Sequence, residues 1–501
     1  MSEPLDLRTL QFDPHWALRF PPSLLVRRRI LPLLKWRERL HVASVTEPDA
    51  GSRKLFERQA GVPVQWVPAT AESLQELLQR LFGDLGKALN QNTPPLQVES
   101  LKLSDEETGG DDMARVCESL LQTAILRRAS DLHFNVLRGG RTEVRMRVDG
   151  QLETLTHFPA ALRQALFNRL KIMARMDIAE KRAPQDGAFR VAGSGGELVD
   201  VRAASLPARH GERLTLRLLG GETGSLVLER LGMDADQRSL FTEALDLPHG
   251  MMLITGPTGS GKSTTLYAAI RHLLDGPPRN IMTVEDPVEY ETEGVVQTEV
   301  DAKGGKIGFA NAIRSILRHD PDVIMIGEIR DRETADLAVR AALTGHMVFS
   351  TLHTNTAVGA VTRLIDLGLD RFLLGSVLRL VVAQRLSRRL CPQCREMGVL
   401  TAAEARQLHR EALEGSPRAE ASGCLHCAGK GHIGRVGLFE CLPIHGTLSE
   451  HISRAPLQGL EHELERLARA EGHRSLFDDA IRKLHRGDVP LRDLLRATLE
   501  L

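Results

Sequence analysis

The segment that most restricts the fold is MMLITGPTGSGKST, residues 251–264. An apolar run, which predicts a buried strand, leads into the pattern GxxxxGKS, and a helical stretch follows. Glycines in this pattern let the backbone wrap around a phosphate chain with its N–H groups turned inward, and the positive end of the next helix adds to the attraction. The segment therefore predicts an α/β domain that binds a nucleoside triphosphate.

Two side chains of this loop carry the expected chemistry. Lys262 would neutralise the β- and γ-phosphates of ATP, and Ser263 would supply a hydroxyl to Mg²⁺. A glycine-rich structural turn is the alternative, but the strand before the loop and the helix after it argue against that. The predicted nucleotide-binding residues are Gly256, Pro257, Thr258, Gly259, Ser260, Gly261, Lys262, Ser263 and Thr264.

A second strand with catalytic potential is DVIMIGEIRD, in which an apolar run at 323–326 precedes Gly327 and Glu328. The corresponding strand of many P-loop enzymes ends in an aspartate that helps to hold Mg²⁺. Glycine takes that place here, so we expect Ser263, phosphate and water to hold the metal. Glu328 would then orient metal-bound water or act on the nucleophile, whereas an ordinary solvated acid is the alternative.

Acids also follow the predicted strand in NIMTVEDPVEY, which ends in Glu285, Asp286 and Glu289. The carboxyl ends of strands line the ligand crevice of an open parallel sheet. Carboxylates there can accept a proton from the attacking water or align it, and Glu285 and Glu289 are the candidates. Without the P-loop, such an acidic loop would usually be no more than solvated.

Histidines flank a further predicted strand in TGHMVFSTLHTN, with His346 before it and His353 after it. Lone histidines are more often structural residues than catalytic ones. At a strand end near the γ-phosphate, however, a histidine could donate a hydrogen bond to the transferred group and report its presence. Both positions are therefore candidates.

Charge and cysteine content exclude several classes of protein. The 501 residues carry 65 Lys and Arg against 65 Asp and Glu, whereas a general polyanion binder needs an excess of positive charge. Six cysteines are too few for a disulfide-rich secreted scaffold of this length. The start of the chain lacks the pattern of a secretory signal, and the apolar runs are too short to span a bilayer. A reducing cytoplasmic location without nucleic acid is the expectation.

Composition shifts divide the chain. All three tryptophans lie in the first 66 residues, which indicates a separate N-terminal module, and leucines at helical spacing predict a helix within 72–90. Alternating strands with a hairpin turn at Asp149 and Gly150 follow a polar, acidic stretch. The predicted parts are an N-terminal domain (1–95), a flexible linker (96–112), a lobe (113–222), an ATPase core (223–390), a cysteine insert (391–440) and a helical C-terminal subdomain (441–501).

Four cysteines form two CxxC pairs, and each pair can grip one edge of a tetrahedral metal. Four thiolates suit structural Zn²⁺, whereas a redox pair is the alternative, disfavoured by the double motif. Cys117 and Cys441 are expected to be buried small apolar residues. The predicted zinc ligands are Cys391, Cys394, Cys424 and Cys427.

Four boxes together carry a family resemblance: ITGPTGSGKSTTLY, then TVEDPVEY, then DVIMIGEIRD, then TGHMVFSTLHTN. They resemble the Walker A, Asp, Walker B and His boxes of the ATPases of type II secretion and type IV pilus systems, in order and at the usual separations. The run NTAVGAVTRL after the last box is most similar to the type II branch, the general secretory pathway protein E family. The glycine before Glu328 is that family's own pattern.

This resemblance implies a homo-hexamer whose subunits hold ATP between a PAS-like α+β lobe and a RecA-like core. The segments ELVDVRAAS and HGERLTLRLL are similar to those whose arginines reach the γ-phosphate, which makes Arg202 and Arg217 candidate arginine fingers. They would share a face of the sheet only in the right register. The segment GKGHIGRVGLFE is similar to one that closes over the base, so Arg435 is a candidate to stack on adenine.

The function implied is a cytoplasmic ATP hydrolase on the inner-membrane face that powers pseudopilus assembly. A membrane-anchored recruiter would bind residues 1–95, and a polytopic platform protein would receive the motion; contact with the bacterial inner membrane would run through these partners only. The alternatives are a type IV pilus extension ATPase, a RecA-like nucleic-acid motor and a non-hydrolysing zinc-stabilised scaffold. Balanced charge and few aromatics argue against the nucleic-acid motor. Intact Lys262, Ser263 and Glu328 argue against the scaffold.

Overall fold

The computed structural model describes residues 4–82 (except 11, 14, 15, 18, 19 and 21), 110–193, 198–219, 226–300 and 307–499. Most of the predicted linker, residues 96–109, lies outside these ranges. The chain forms two compact units. The first comprises residues 1–221, 391–394 and 422–433, and the second comprises residues 222–390, 395–421 and 434–501.

The N-terminal domain of the first unit is a three-stranded sheet covered by helices. Strands β1 and β2 are antiparallel, whereas β2 and β3 are parallel. Phe20 and Phe56 stack in its core with ring centroids 4.4 Å apart, and Leu74, Leu77 and Leu78 of the predicted leucine helix are buried there. The elements are α1 (Pro22–Arg28), β1 (Ile30–Trp36), β2 (Arg39–Ser44), α2 (Ala50–Ala60), β3 (Val64–Pro68) and α3 (Ala71–Phe82).

The lobe of the first unit is a six-stranded antiparallel sheet in the order β6-β5-β4-β9-β8-β7. The predicted turn at Asp149 and Gly150 is confirmed: both residues have positive φ, as a two-residue hairpin turn requires. Helices α4 and α5 share a core with the apolar side of the sheet. The elements are α4 (Gly110–Leu126), β4 (Asp131–Val136), β5 (Thr142–Val148), β6 (Gln151–Phe158), α5 (Arg163–Met173), β7 (Gln185–Ala192), β8 (Leu198–Leu206) and β9 (Arg213–Leu219).

The second unit is built on a seven-stranded sheet in the order β12-β11-β13-β14-β10-β15-β18. Neighbouring strands from β12 to β15 run parallel. Its central strands are buried throughout because helices cover both faces, which confirms the predicted α/β core. The strands are β10 (Gly250–Thr255), β11 (Ile281–Glu285), β12 (Val295–Glu299), β13 (Val323–Ile326), β14 (Met347–Leu352), β15 (Leu378–Leu390), β16 (Arg395–Val399), β17 (Pro417–Ala421) and β18 (His432–Pro443).

Helices of the second unit surround this sheet and form the C-terminal subdomain. Leu460 and Leu464, predicted at helical spacing, are buried. Strand β18 crosses the predicted boundary at residue 440. Within the described ranges, no helix has both the length and the apolar character needed to cross a bilayer. The helices are α6 (Ala235–Leu245), α7 (Lys262–Leu274), α8 (Phe309–Ile316), α9 (Arg332–Leu343), α10 (Ala357–Asp366), α11 (Arg371–Val377), α12 (Ala402–Gln407), α13 (Gly446–Arg454), α14 (Leu460–Ala470), α15 (Leu476–His485) and α16 (Leu491–Leu499).

Candidate nucleotide site and tetracysteine cluster

The glycine loop lies where the sequence predicts, between the end of β10 and the start of α7. Gly256 and Gly261 have φ values of 147° and 91°, which side chains other than glycine rarely adopt. The Lys262 ammonium donates hydrogen bonds to the carbonyl oxygens of Gly256 (2.8 Å) and Pro257 (3.2 Å). Burial lowers the pKa of Lys262, and the negative charge of Glu328 partly opposes this shift. The lysine therefore lies across the loop, within electrostatic range of Glu328 at the end of β13.

The parallel register brings the ends of four strands to one edge of the sheet. Thr255 pairs with Leu352, so the P-loop and His353 follow neighbouring strand ends. The backbone N–H of Thr354 donates to Thr255 Oγ1 at 2.8 Å and ties these two ends together. Glu328 Oε2 lies 3.6 Å from His353 Nε2. The structure therefore brings Lys262, Glu328 and His353 to the same edge.

Glu328 also pairs with Arg330, and Arg330 Nη1 lies 3.5 Å from Asp286 Oδ2. Arg330 thereby links the acidic segments that follow β11 and β13. Hydrogen bonding to Glu328 raises the pKa of Arg330. Arg330 is not among the predicted site residues, and its signal in the sequence is its place two residues after Glu328. An arginine so placed can hold the Glu328 carboxylate in one orientation.

Gly327 allows β11 and β13 to approach closely at this edge. Its N–H donates to the Val284 carbonyl at 2.8 Å, and its own carbonyl accepts from Thr351 Oγ1 at 2.7 Å. A Cβ atom added at Gly327 would lie 3.3 Å from the Val284 oxygen and 3.4 Å from the Cα of Glu285. A side chain at this position would therefore need the backbone of β11 to shift by a few tenths of an ångström, and the glycine leaves Glu328 as the acid of this strand.

Glu285 is almost fully buried and faces helix α7. Thr283 Oγ1 donates to it at 2.6 Å, Tyr267 Oη donates at 2.5 Å and Gln297 Nε2 donates at 3.2 Å. Burial raises the pKa of Glu285 against these hydrogen bonds. The predicted base candidate thus lies in a network that joins β11 to the P-loop helix. Glu289, by contrast, is exposed, and burial lowers the pKa of Lys262 against the smaller, opposite effect of the Glu289 charge.

Tyr290 connects Arg435 to the nucleotide loop. Its side chain hydrogen bonds to Thr264, and the positive charge of Arg435 lowers its pKa against the stronger effect of burial. Tyr290 also packs edge-on against Tyr267, with ring centroids 5.0 Å apart. The structure therefore places Arg435 within electrostatic range of the side chain that contacts Thr264.

The structure does not bring His346, the other predicted histidine, together with the P-loop. It precedes β14 and therefore lies at the amino end of the strand, whereas His353 follows the carboxyl end. Six strand residues separate the two edges by about 20 Å. The Nδ1 atom of His346 lies 2.8 Å from the Ala341 carbonyl and 3.2 Å from Thr344 Oγ1, both at the end of helix α9. His346 thus belongs to the helix–strand connection.

Arg202 and Arg217, in the first unit, are direct cross-strand partners on β8 and β9. Both side chains therefore point to the same face of the lobe sheet, as an arginine-finger role requires. Arg217 Nε donates to Asp131 Oδ1 at 3.1 Å, and Arg147 lies 3.9 Å from the other oxygen of Asp131. Two like charges opposite each other are unfavourable, and Asp131 offsets part of that repulsion.

The four predicted metal ligands are brought together, and their sulfur atoms all lie within 4.8 Å of one another. The Sγ atoms of Cys391 and Cys424 are 3.8 Å apart, and those of Cys394 and Cys427 are 3.9 Å apart. Four thiolates bound tetrahedrally at about 2.3 Å from zinc would be about 3.8 Å apart. The cluster has the spacing of a structural zinc site.

Burial and backbone N–H groups shift the pKa values of these thiols in opposite directions. Burial raises the pKa of Cys391 to about 11. For Cys427, burial also opposes ionisation, but hydrogen bonds from the N–H groups of Cys424 (3.2 Å) and Gly431 (3.1 Å) outweigh it and lower the pKa. These N–H groups point at a sulfur as they do in metal-binding loops. Cys117 and Cys441 are buried, as predicted.

Comparisons with known proteins identify the family. The family described as type II/IV secretion system protein matches residues 106–496, and the MshEN domain matches residues 2–88. The chain is 44% identical to type II secretion system protein E of Pseudomonas aeruginosa over 84% of this chain and 82% of that protein. The chain belongs to the type II secretion system protein E family. The match to protein E of Dickeya dadantii is 41% identical and covers 93% of this chain and 95% of the relative.

Solved structures are similar to this chain in fold. The pilus retraction motor PilT with bound ADP is 26% identical, with a TM-score of 0.54, over 76% of this chain and 96% of PilT. The Legionella pneumophila ATPase DotB, at 21% identity, shows the fold alone, with a TM-score of 0.57 over 77% of this chain and 95% of DotB. The predicted resemblance and the fold class, with an MshEN domain before the ATPase domain, are confirmed.

Two residues of this family member that sequence reasoning did not select contact the site from β15. Gln384 Nε2 donates to the carbonyl of Ser260 at 2.9 Å, and its Oε1 accepts from Thr265 at 2.8 Å. Arg385 is buried, donates to Asn355 at 2.8 Å and lowers the pKa of Lys262 through its charge, after the larger effect of burial. The available signal was a polar pair in the otherwise apolar run VVAQRL. Gln384 thus fixes the glycine loop to the first turn of α7.

Proposed function

We propose that this chain is a Mg²⁺-dependent ATP hydrolase that powers type II secretion. The observation that carries the proposal is the convergence of Lys262, Glu328 and His353 at one edge of the parallel sheet, beside the glycine loop. Membership of a family that includes the type II secretion system ATPase E of Vibrio cholerae, 42% identical to this chain, supports it.

The residues have distinct roles in this proposal. The P-loop N–H groups and Lys262 bind the phosphates, and Ser263 offers its hydroxyl to Mg²⁺. Mg²⁺, when bound, neutralises charge on the β- and γ-phosphates. Glu328, oriented by Arg330, aligns the attacking water, and His353 donates a hydrogen bond towards the transferred phosphoryl group. Glu285 at the end of β11 and Glu289 in the loop after it accept a proton from the attacking water or align it.

In this proposal the lobe supplies two positively charged side chains that act on the phosphates. Arg202 and Arg217 act as arginine fingers on the γ-phosphate, and Arg435 stacks on the base. Conversion of hydrolysis into domain movement then drives assembly of a pseudopilus. Isolated subunits should be poor ATPases if assembly into the proposed hexamer brings these arginines into place.

The remaining assignments follow from the same proposal. The described tetracysteine cluster holds Zn²⁺ with a structural role. The segment 1–95 binds a membrane-anchored recruiter, and a polytopic platform protein receives the motion. The protein is cytoplasmic and reaches the inner membrane through these partners. The predicted parts of the chain, with their boundaries at 95, 112, 222, 390 and 440, remain proposals.

The test is ATPase activity measured against oligomeric state, with and without the cytoplasmic part of the recruiter. Oligomeric fractions should hydrolyse ATP, and Glu328→Gln should bind nucleotide but lose hydrolysis. Glu293→Gln, an exposed acid outside the site, is the matched control. Equal turnover in Glu328→Gln would contradict the proposal. Binding to a pilus system's recruiter instead would favour the pilus-extension alternative, and stimulation by DNA would favour a nucleic-acid motor.

A further inference from the structure

The cysteine loop contacts the N-terminal domain of the first unit. We call residues 391–394 and 422–433, which belong to that unit, the metal knuckle. Leu425 and Ala428 of the knuckle pack against the hydrophobic core of the N-terminal domain. Gly429 lies directly against the Trp36 indole, because a Cβ atom added there would be 2.9 Å from Cδ1 and 3.1 Å from Nε1. The contact therefore joins the Cδ1–Nε1 edge of the indole to bare backbone.

The tryptophan side of this contact is a rigid hairpin tip. Trp36 ends β1, and the turn residues Arg37 and Glu38 have φ values of 47° and 59°, as in a two-residue hairpin turn. The Arg37 guanidinium lies 4.5 Å from the centre of the Trp36 ring, and the His41 ring centroid is 5.6 Å away. A cation over the ring favours a fixed indole orientation.

The knuckle also contacts the lobe. Lys430 Nζ lies 2.5 Å from Glu153 Oε1, and Arg127 Nη2 lies 2.6 Å from Glu153 Oε2. Burial raises the pKa of Glu153, but the hydrogen bond from Lys430 and the charge of Arg127 outweigh it and leave the pKa lowered. The three charged side chains are mostly buried, with 16–24% exposed. One short loop therefore contacts two domains.

The shape of this loop depends on the cysteines. Its apolar residues Leu425 and Ala428 are turned towards the N-terminal domain, and the N–H groups of Cys424 and Gly431 are directed at the sulfur of Cys427. Segments of this size without their own core need a staple such as a metal to hold one conformation.

We propose that the metal knuckle is the docking site of the N-terminal domain and that metal occupancy holds Trp36 against Gly429. This inference rests on the proposed zinc site. It makes the insert an attachment between the N-terminal domain and the lobe. Loss of metal then releases the hairpin tip, while the P-loop, which lies in the other unit, keeps its ability to bind nucleotide.

The test uses the full chain with Trp16→Phe and Trp66→Phe, so that Trp36 is the fluorophore. Zinc is removed with a chelator and its release is measured colorimetrically. Trp36 emission should shift to the red, and its quenching by acrylamide should rise towards that of free N-acetyltryptophanamide. A matched chain that keeps only Trp66, which packs on Phe56 inside the domain, should show neither change. Zinc release with unchanged Trp36 quenching overturns the inference.

A second variant tests the contact with the metal in place. Leu425→Gln retains all four cysteines and should expose Trp36 at full zinc content. Val399→Gln, an exposed residue of the same insert, is the control and should leave Trp36 protected. Unchanged Trp36 quenching in Leu425→Gln overturns the docking contact. A purified chain without zinc but with Trp36 protected overturns the metal dependence, whereas ATPase activity tests the proposed function separately.

Discussion

The two large sheets of the molecule present their charged residues in different ways. The parallel sheet of the second unit is buried on both faces, so its functional side chains collect at one edge, where the strands end. The antiparallel sheet of the lobe has helices over one face, so its charges form rows across the other. An edge site depends on loops that follow strands, whereas a face site depends on register. The predictions below address this difference, from the largest expected effect to the smallest.

Lys262→Ala should abolish the edge site. Removal of the ammonium leaves the phosphate charge uncompensated, so ATP binding and hydrolysis should both be lost, with turnover reduced on the order of 10³-fold or more. Nucleotide binding by calorimetry and turnover by phosphate release measure the two effects. Lys54→Ala, an exposed lysine of the N-terminal domain, is the control. Retained turnover in Lys262→Ala would remove the edge site from the mechanism.

Arg217→Ala tests the face site. Loss of an arginine finger should lower turnover on the order of 10³-fold while nucleotide binding persists, because the finger acts on charge that develops in the transition state. Arg202→Ala should behave in the same way, since the two residues are cross-strand partners. Arg209→Ala, which changes an exposed arginine outside the Arg202–Arg217 pair, is the control. Normal turnover in both Arg217→Ala and Arg202→Ala would show that catalysis needs only the residues at the edge of the parallel sheet.

The two histidines lie at opposite edges of the parallel sheet, so their variants test which edge takes part in catalysis. His353→Asn should lower turnover on the order of 10²-fold through loss of a hydrogen bond to the transferred group. His346→Asn, at the opposite end of the same strand, should leave turnover unchanged within experimental error and affect only thermal stability. Equal losses of turnover in the two variants would show that edge position does not decide function.

Gln384→Ala should give the smallest effect on turnover. The Gln384 side chain is hydrogen bonded to the Ser260 carbonyl of the loop and to the Thr265 hydroxyl of α7. It does not contact the reacting atoms, so it is a positioning residue. Looser geometry of the glycine loop should raise KM for ATP and lower kcat, each by about tenfold. Steady-state kinetics measure both constants, and Gln407→Ala on α12 serves as the reference. A lower melting temperature with normal kinetics would assign Gln384 to stability alone.

Much of the edge site could be predicted because its signals are local. The P-loop pattern follows its strand directly, and Glu328 and His353 each follow an apolar run. The CxxC pairs and the turn at Asp149 are equally local. His346 lies at the opposite edge from His353, because a sequence pattern marks the ends of a strand without showing which end lies beside the P-loop.

Long-range pairing accounts for what sequence reasoning did not find. Gln384 reaches the P-loop only because β15 pairs in parallel with β10 in one register, which a single sequence does not specify. Glu285 accepts hydrogen bonds from Tyr267 on α7 and Gln297 on β12, which are 18 and 12 residues away on other elements. The contact of Trp36 with Gly429 joins segments nearly four hundred residues apart. Such contacts depend on packing between elements rather than on patterns within them.

The close approach at Gly327 restricts how this enzyme could be redesigned. Gly327→Asp would introduce the strand-end aspartate of other P-loop proteins. Its side chain would lie against the Val284 carbonyl and the backbone of Glu285. The added side chain would need the backbone of β11 to shift by a few tenths of an ångström, at the strand end that precedes the acidic loop contacted by Arg330. We expect Gly327→Asp to lower the melting temperature, because the new side chain meets backbone atoms rather than the end of a flexible side chain.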